Sequence, residues 1–128
     1  MRESFHYDYQ QGQWFPLLAV KLHGPGRSLK IQALIDSGAT LSVFRGDVGR
    51  VLGYDIEHGQ HVTLEGIGAK IKGYQHVLST SCAGSEFELP IVFSDELQAS
   101  FNLLGRVGFF ETFQVSFNES ARTLELIN

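Results

Sequence analysis

Apolar and polar residues alternate along most of this chain, which is the pattern of β-strands with one buried face. Leu18, Val20 and Leu22 alternate within residues 15–23, and a second alternating stretch covers residues 28–35. The segment between these stretches contains two glycines and a proline, which is typical of a turn. We therefore predict a β-hairpin in the first third of the chain.

The same two-residue period returns from His61 onward and predicts further strands. Between the first two of them lies Gly66-Ile67-Gly68-Ala69, which suits a flexible hairpin tip because glycine adopts positive φ without strain. Two strands are predicted near the C-terminus, and two short helices elsewhere. The predicted bounds are 113–117 and 123–127 for the strands, and 45–52 and 107–111 for the helices.

Together these elements predict an all-β domain in which mostly antiparallel strands form a closed or nearly closed sheet. A chain of 128 residues lies in the usual range for one compact domain. No internal repeat and no linker rich in Pro, Gly or Ser divides it, so we expect a single domain over residues 1–128. Residues 1–13 are polar with scattered aromatic side chains, and we expect them to form a flexible N-terminal extension.

Composition and charge indicate which kinds of partner and cellular environment the chain is expected to have. Apolar residues make up 43% of the chain, so it should fold around a core rather than remain disordered. The net charge is −4 and Lys and Arg form no run, which argues against nucleic acid as a partner. No apolar run approaches the roughly 20 residues that span a bilayer, and the N-terminus lacks the pattern of a signal peptide. With Cys82 as its single cysteine, the chain is expected in a reducing cytoplasm.

The segment with the clearest chemical meaning is Asp36-Ser37-Gly38-Ala39, directly after the second predicted strand. A buried strand would hold the carboxylate in place, Gly38 would let the backbone turn close to it, and short neighbours would leave room for a second copy opposite. Asp, Ser and Gly are also common turn formers, so the triplet alone is more typical of an ordinary turn than of a catalytic loop. A carboxylate at the end of an apolar strand is costly to desolvate, which favours a functional role.

Three segments together resemble the retropepsin-like aspartic peptidases, a family that includes the retroviral proteases. Residues 34–39 resemble the catalytic loop, residues 66–68 the glycine-rich flap tip, and residues 103–106 the apolar-apolar-Gly motif that begins the C-terminal helix. Their order and spacing also match, so the likeness covers nearly the whole chain. The resemblance implies a retropepsin-like closed barrel of mostly antiparallel strands with one or two short helices.

The resemblance also implies an aspartic endopeptidase that acts as a homodimer on a peptide or protein substrate. The family's chemistry uses two carboxylates that hold one water, so two copies of Asp36 would meet across a twofold axis. Because like charges this close cannot both ionise cheaply, the pair would share one proton. One copy would take a proton from the attacking water while the other polarises the peptide carbonyl, without a metal or other cofactor. The termini would either interleave between subunits, as in retroviral relatives, or residues 113–127 would fold back as an internal hairpin.

Residue roles follow from the same resemblance. The implied catalytic residues are Asp36, Ser37 and Gly38. The implied substrate-binding residues are Ala39, Gly66, Ile67, Gly68 and Ala69. The flap would close over an extended peptide and exclude water, and we expect activity at mildly acidic pH.

Two positions depart from the family's pattern. Ser37 stands where threonine is commoner, so the hydroxyl is kept but its neighbouring methyl group is absent. Thr40 stands where retroviral members carry an aspartate that pairs with the arginine of the Gly-Arg motif. Arg106 therefore needs another partner, and Asp47 and Glu111 are the candidates.

Other chemistries find less support in the sequence. His58, His61 and His76 could be imagined as metal ligands, but no further cysteine or clustered carboxylate completes a set. Cys82 with His76 could act as a thiol nucleophile, although a lone cysteine is more often a small buried hydrophobe. Two further alternatives keep the fold: a dimerisation or peptide-binding module with weak or lost cleavage activity, and a processing subunit that cuts a single partner.

Overall fold

The computed structural model describes residues 1–66 and 68–128, and strands dominate them. In chain order the strands are β1 (Arg2–His6), β2 (Asp8–Gln10), β3 (Gln13–Phe15), β4 (Leu17–His23), β5 (Ser28–Ile35), β6 (Ser42–Arg45), β7 (Gln60–Gly66), β8 (Ala69–Cys82), β9 (Ser85–Ser94), β10 (Asn102–Leu104), β11 (Gln114–Asn118) and β12 (Thr123–Ile127). The helical segments are α1 (Gly46–Val51), a 3₁₀ turn (Ile56–His58) and an irregular helical turn (Arg106–Phe110). In this part of the chain no helix is long and apolar enough to cross a membrane. The predicted all-β class is confirmed.

One sheet closes into a barrel. Its strands run in the order β4-β5-β10-β6-β9-β8-β7, and an additional pairing of β4 with β8 completes the ring. The pairs are antiparallel except for β5 with β10 and β6 with β9, which are parallel. Strand β7 lies outside the ring and is joined to it through β8. The predicted barrel of mostly antiparallel strands is therefore confirmed, and the β7–β8 hairpin projects from it.

The alternation in the sequence produces the core of this barrel. Leu18, Val20 and Leu22 of β4 are buried, whereas the residues between them are exposed. Strand β4 pairs with β5 as the predicted hairpin, with His23 opposite Ser28. The largest fully buried side chains are Phe44, Phe93, Phe109 and Phe113. Because burial of such a side chain contributes about 1.5–3 kcal/mol, these phenylalanines account for much of the core's stability.

The two termini meet in a second, three-stranded sheet of order β1-β12-β11. Strands β11 and β12 form a hairpin within the chain, which is the internal alternative for residues 113–127. Strand β1 pairs with β12 from Arg2 opposite Ile127 to His6 opposite Thr123. Residues 1–13, which we expected to form a flexible extension, instead contribute strands β1 and β2 and the first residue of β3. The physical reason is that β1 pairs the backbone groups along one edge of β12, which would otherwise stay open.

The two predicted helices have different outcomes. Helix α1 falls within the predicted residues 45–52. The helix predicted at residues 107–111 is replaced by the irregular turn Arg106–Phe110, in which Val107 is extended and Gly108 has φ of +87°. A Cβ added at Gly108 would lie 2.8 Å from Leu89 Cδ1, so this turn packs closely on β9. That packing holds Gly108 in a conformation that a regular helix does not allow.

Candidate active site

Asp36 stands directly after β5, at one end of the barrel. The preceding residue, Ile35, is buried, and the Asp36 amide donates a hydrogen bond to the Leu104 carbonyl at 2.9 Å. The Gly38 amide donates to Oδ1 of the Asp36 carboxylate at 2.9 Å. A Cβ added at Gly38 would lie 3.2 Å from Oδ1, closer than side chains usually approach, so glycine permits this contact. The half-buried carboxylate is thus held by a strand on one side and a backbone amide on the other.

The segment 103–106 packs directly against the loop that carries Asp36. The Arg106 amide donates to the Ala39 carbonyl and the Val107 amide donates to the Thr40 carbonyl, each at 2.8 Å. Strand β10 also runs parallel to β5 and pairs with its last residues. Two of the motifs that the sequence singled out are therefore in backbone contact.

Gly105 and Ser42 complete this contact. The Gly105 amide donates to the Ser42 hydroxyl at 3.0 Å, and Ser42 is fully buried. A Cβ added at Gly105 would lie 2.5 Å from the Leu41 carbonyl oxygen, which is closer than real side chains come. Ser42 was not predicted to belong to the site, since a serine after an apolar residue carries no signal of such a role.

Arg106 has its hydrogen-bond partner on the loop of residues 36–40, which we call the aspartate loop. Its Nη2 donates to Oγ1 of Thr40 at 3.3 Å. In the described part of the chain, neither Asp47 nor Glu111 forms an ion pair with it, and Glu111 instead accepts a hydrogen bond from the Gly108 amide at 2.7 Å. The expectation of Asp47 or Glu111 as the partner was therefore wrong. The physical reason is that Thr40 lies beside Arg106 and still offers an oxygen acceptor.

A groove of about 440 Å³ lies between the aspartate loop and the β7–β8 hairpin. The predicted site residues that line it are Asp36, Gly38, Ala39, Gly66 and Ala69. Ser37 is exposed and lies outside the lining, as does Gly68. Gly68 has φ of +75°, in agreement with the predicted hairpin tip. Ile67 lies outside the described residues.

The remaining walls of this groove are mostly apolar, and their residues were not predicted to belong to the site. The apolar residues are Leu41, Val43, Leu64, Ile71, Leu97 and Leu103. In the sequence most of them look like ordinary core positions. Only Leu97 carries a usable signal, because it is a large apolar residue isolated among polar and small residues after β9. A carboxylate at an apolar groove of this kind suits an extended peptide with apolar side chains.

A larger surface groove of about 560 Å³ lies between the N-terminal segment and the outer face of β4 and β5. Cys82 lines it, but the thiol is buried, and burial raises its pKa to about 12, so it stays protonated at neutral pH. His76 is bonded elsewhere, with Nε2 at 2.9 Å from the Ile56 carbonyl oxygen. A thiol nucleophile with His76 as its base is therefore not formed, and we place the candidate active site at the smaller groove that contains Asp36.

The histidines considered as metal ligands have other contacts. His58 lies 3.3 Å from the Asp55 carboxylate, and the His61 ring packs edge-on against Tyr74. Within residues 1–66 and 68–128, no group of three or more His, Cys, Asp or Glu side chains is placed to hold a metal ion.

Comparison with solved structures finds the same fold in two proteases. A retropepsin-like aspartic protease from Rickettsia conorii matches with a TM-score of 0.69 and 18% sequence identity, over 98% of this chain and 92% of that chain. EIAV protease, complexed with the inhibitor HBY-793, matches with a TM-score of 0.56 and 19% identity, over 77% of this chain and 88% of that chain. No protein-family model matches the sequence, and no curated protein matches it. The retropepsin-like fold expected from the three motifs is thus confirmed.

Proposed function

We propose that this chain, which has the retropepsin fold, is an aspartic endopeptidase that acts as a homodimer. The observation that carries the proposal is the position of Asp36, which lines an apolar groove closed on its other side by the β7–β8 hairpin. The likeness in fold to two aspartic proteases supports the same class of reaction. A reducing cytoplasm stays the expected compartment, because the single cysteine is free.

The proposed chemistry is hydrolysis by general acid and base catalysis. The ionised copy of Asp36 takes a proton from a water molecule, and the water oxygen bonds to the carbonyl carbon of the peptide. The protonated copy donates its proton to the carbonyl oxygen, which gives a neutral tetrahedral intermediate. This intermediate breaks its C–N bond when the first copy returns its proton to the departing nitrogen and the second copy takes a proton from one hydroxyl group, which leaves a carboxylic acid and an amine. After each step the pair of carboxylates again holds one proton.

The surroundings of Asp36 support this role. Its carboxylate is held by the Gly38 amide, and positional accuracy of this kind is what acid and base catalysis requires. Ser37 and Gly38 are exposed in the single chain, which leaves room for a second copy to approach. Leu64 and Ile71 lie opposite each other on the hairpin and both line the groove, where they can pack on apolar side chains of an extended substrate.

The test is cleavage of a diverse peptide library at several pH values by the wild type and by Asp36→Asn. We expect products from the wild type at mildly acidic pH and a loss of at least about a hundredfold in kcat/KM in the variant, since asparagine cannot exchange the proton. Asp36→Asn keeps an oxygen that can accept from Gly38, so its fold should be unchanged. Asp47→Asn, at an exposed position of α1, is the matched control and should retain activity.

Two outcomes would contradict the peptidase proposal. Equal product formation by wild type and Asp36→Asn would show that another group performs the cleavage. Binding of peptides without cleavage at any pH would favour the peptide-binding module, in which the fold is kept and the activity is lost.

A further inference from the structure

The β7–β8 hairpin leaves the barrel at Lys72, where the pairing of β8 changes. From Cys82 back to Tyr74, strand β8 pairs with β9, and the last pair is Tyr74 with Phe93. Residues 69–73 pair with β7 on their other edge. Lys72 therefore lies beyond the last residue of β8 that pairs with β9.

Two side chains from the segment that follows Phe93 form hydrogen bonds with the backbone of Lys72, as a neighbouring strand would do. The Lys72 amide donates to Oε1 of Glu96 at 3.0 Å, and the Lys72 carbonyl accepts from Oγ of Ser94 at 2.5 Å. Oγ of Ser94 also accepts from the Glu96 amide at 3.1 Å, which fixes the two side chains relative to each other. Ser94 is only 2% exposed, so its hydrogen bond to the hairpin is shielded from water. We call Lys72, Ser94 and Glu96 the flap clamp.

The clamp belongs to a segment that also reaches the barrel and the groove. Asp95 accepts two hydrogen bonds from the Arg50 guanidinium of α1, both at 2.8 Å, and Leu97 lines the groove beside Asp36. Residues 94–97 thus connect the base of the hairpin, a helix of the barrel and the wall of the substrate groove. A cavity of about 210 Å³, lined in part by Lys72 and Glu96, lies beside the clamp.

We propose that Glu96, through the clamp on Lys72, is a positioning residue that sets the resting position of the β7–β8 hairpin and thereby the affinity for substrate. Its effect on catalysis rests on the proposed peptidase function. When the clamp is intact, the base of the hairpin is already ordered before substrate binds. Without it, part of the binding energy must order the hairpin, so KM should rise. Because the clamp does not touch the reacting atoms, kcat should change little.

Amide hydrogen exchange measures the clamp without any need for activity. In Glu96→Ala the Lys72 amide loses its acceptor, and we expect its exchange to become about tenfold faster. Glu96→Gln keeps an Oε1 acceptor and should restore slow exchange. Glu88→Ala is the matched control, because it is the same change at an exposed position of β9, and exchange at Lys72 should stay as in the wild type. Unchanged exchange of the Lys72 amide in Glu96→Ala would overturn the proposal.

Peptide hydrolysis then measures the consequence for substrate. In Glu96→Ala we expect KM to rise by about three- to tenfold, with kcat within about twofold of the wild type and with rescue by Glu96→Gln. Equal KM values for wild type and Glu96→Ala would overturn the positioning role while leaving the peptidase proposal intact. If instead no form of the protein cleaves a peptide, the peptidase proposal fails, and the exchange of the Lys72 amide still decides whether the clamp exists.

Discussion

At Gly105 the backbone of the 103–106 motif passes close to the carbonyl groups of Ala39 and Leu41, in the segment that follows Asp36. An added Cβ would lie 2.5 Å from the Leu41 carbonyl oxygen and 2.8 Å from that of Ala39. The shape of the loop that carries Asp36 therefore depends on a glycine far away in the sequence. This dependence gives the glycine of the 103–106 motif a steric role, separate from any part in catalysis.

Substitution of this glycine should lower the stability of the fold. We expect Gly105→Ala to lower the free energy of unfolding by about 1–3 kcal/mol, because the methyl group forces the two segments apart. Urea unfolding measures this change. Gly66→Ala is the control, since no atom of the described residues, its chain neighbours aside, lies within 4 Å of its added Cβ. Its free energy of unfolding should stay within about 0.5 kcal/mol of the wild type. An unchanged unfolding midpoint in Gly105→Ala would show that the segments can part without cost.

At the scale of elements, Tyr7 fastens the N-terminal segment to the turn between β11 and β12. Its hydroxyl donates to Oε1 of Glu119 at 3.1 Å, and its amide donates to the Arg122 carbonyl at 2.8 Å. The ring is 4% exposed and belongs to the hydrophobic core. Burial, and then the hydrogen bond and negative charge of Glu119, raise the pKa of Tyr7 to about 12.

This raised pKa predicts a loss of stability at alkaline pH. In the unfolded chain the phenol ionises near pH 10, so the contribution of neutral Tyr7 is complete below about pH 10 and is lost as the pH rises toward about 12. Tyr7→Phe should cost about 1 kcal/mol at neutral pH and should lose less stability than the wild type across that window. Tyr9→Phe, at a side chain that is 60% exposed, is the control and should follow the wild type. Urea unfolding at several pH values tests this, and parallel curves for wild type and Tyr7→Phe would contradict it.

At the scale of the whole molecule, one chain supplies one Asp36 carboxylate to the groove. The proposed mechanism needs an acid and a base together, so the proposal requires two chains in the active enzyme. The termini pair within the chain, in the sheet β1-β12-β11. A dimer of this protein would therefore join chains in which β12 is already paired along both edges and β1 along one edge.

Mixing of subunits tests the requirement for two chains. When wild type and Asp36→Asn are mixed in equal amounts and allowed to exchange, about one quarter of the dimers should carry two intact copies. We therefore expect about one quarter of the rate of an all-wild-type sample at the same total concentration. If single chains were active alone, the mixture would keep about one half of the rate of the all-wild-type sample. Asp47→Asn in place of Asp36→Asn is the control and should leave the rate unchanged.

Local patterns in the sequence were sufficient for much of this fold. The β4–β5 hairpin and the two C-terminal strands were predicted because alternation and turn residues act over a few neighbouring positions. The β11–β12 hairpin was one of two alternatives that the sequence left open. The placement of Asp36 after a buried strand followed from the apolar residues before it. The three motifs also predicted the retropepsin-like fold, which the comparison with solved structures confirms.

Only the tertiary structure decided the features that depend on distant segments. Residues 2–6 became strand β1 because β12 offers them an unpaired edge, and Arg106 bonds Thr40 because the two segments are packed side by side. The clamp of Ser94 and Glu96 on Lys72 exists because β8 continues beyond its last pair with β9. What the sequence determined by itself was the local pattern of burial and turns, because those depend on neighbouring residues. The contacts that build the groove depend on which surfaces the closed barrel brings together, and no local pattern encodes that.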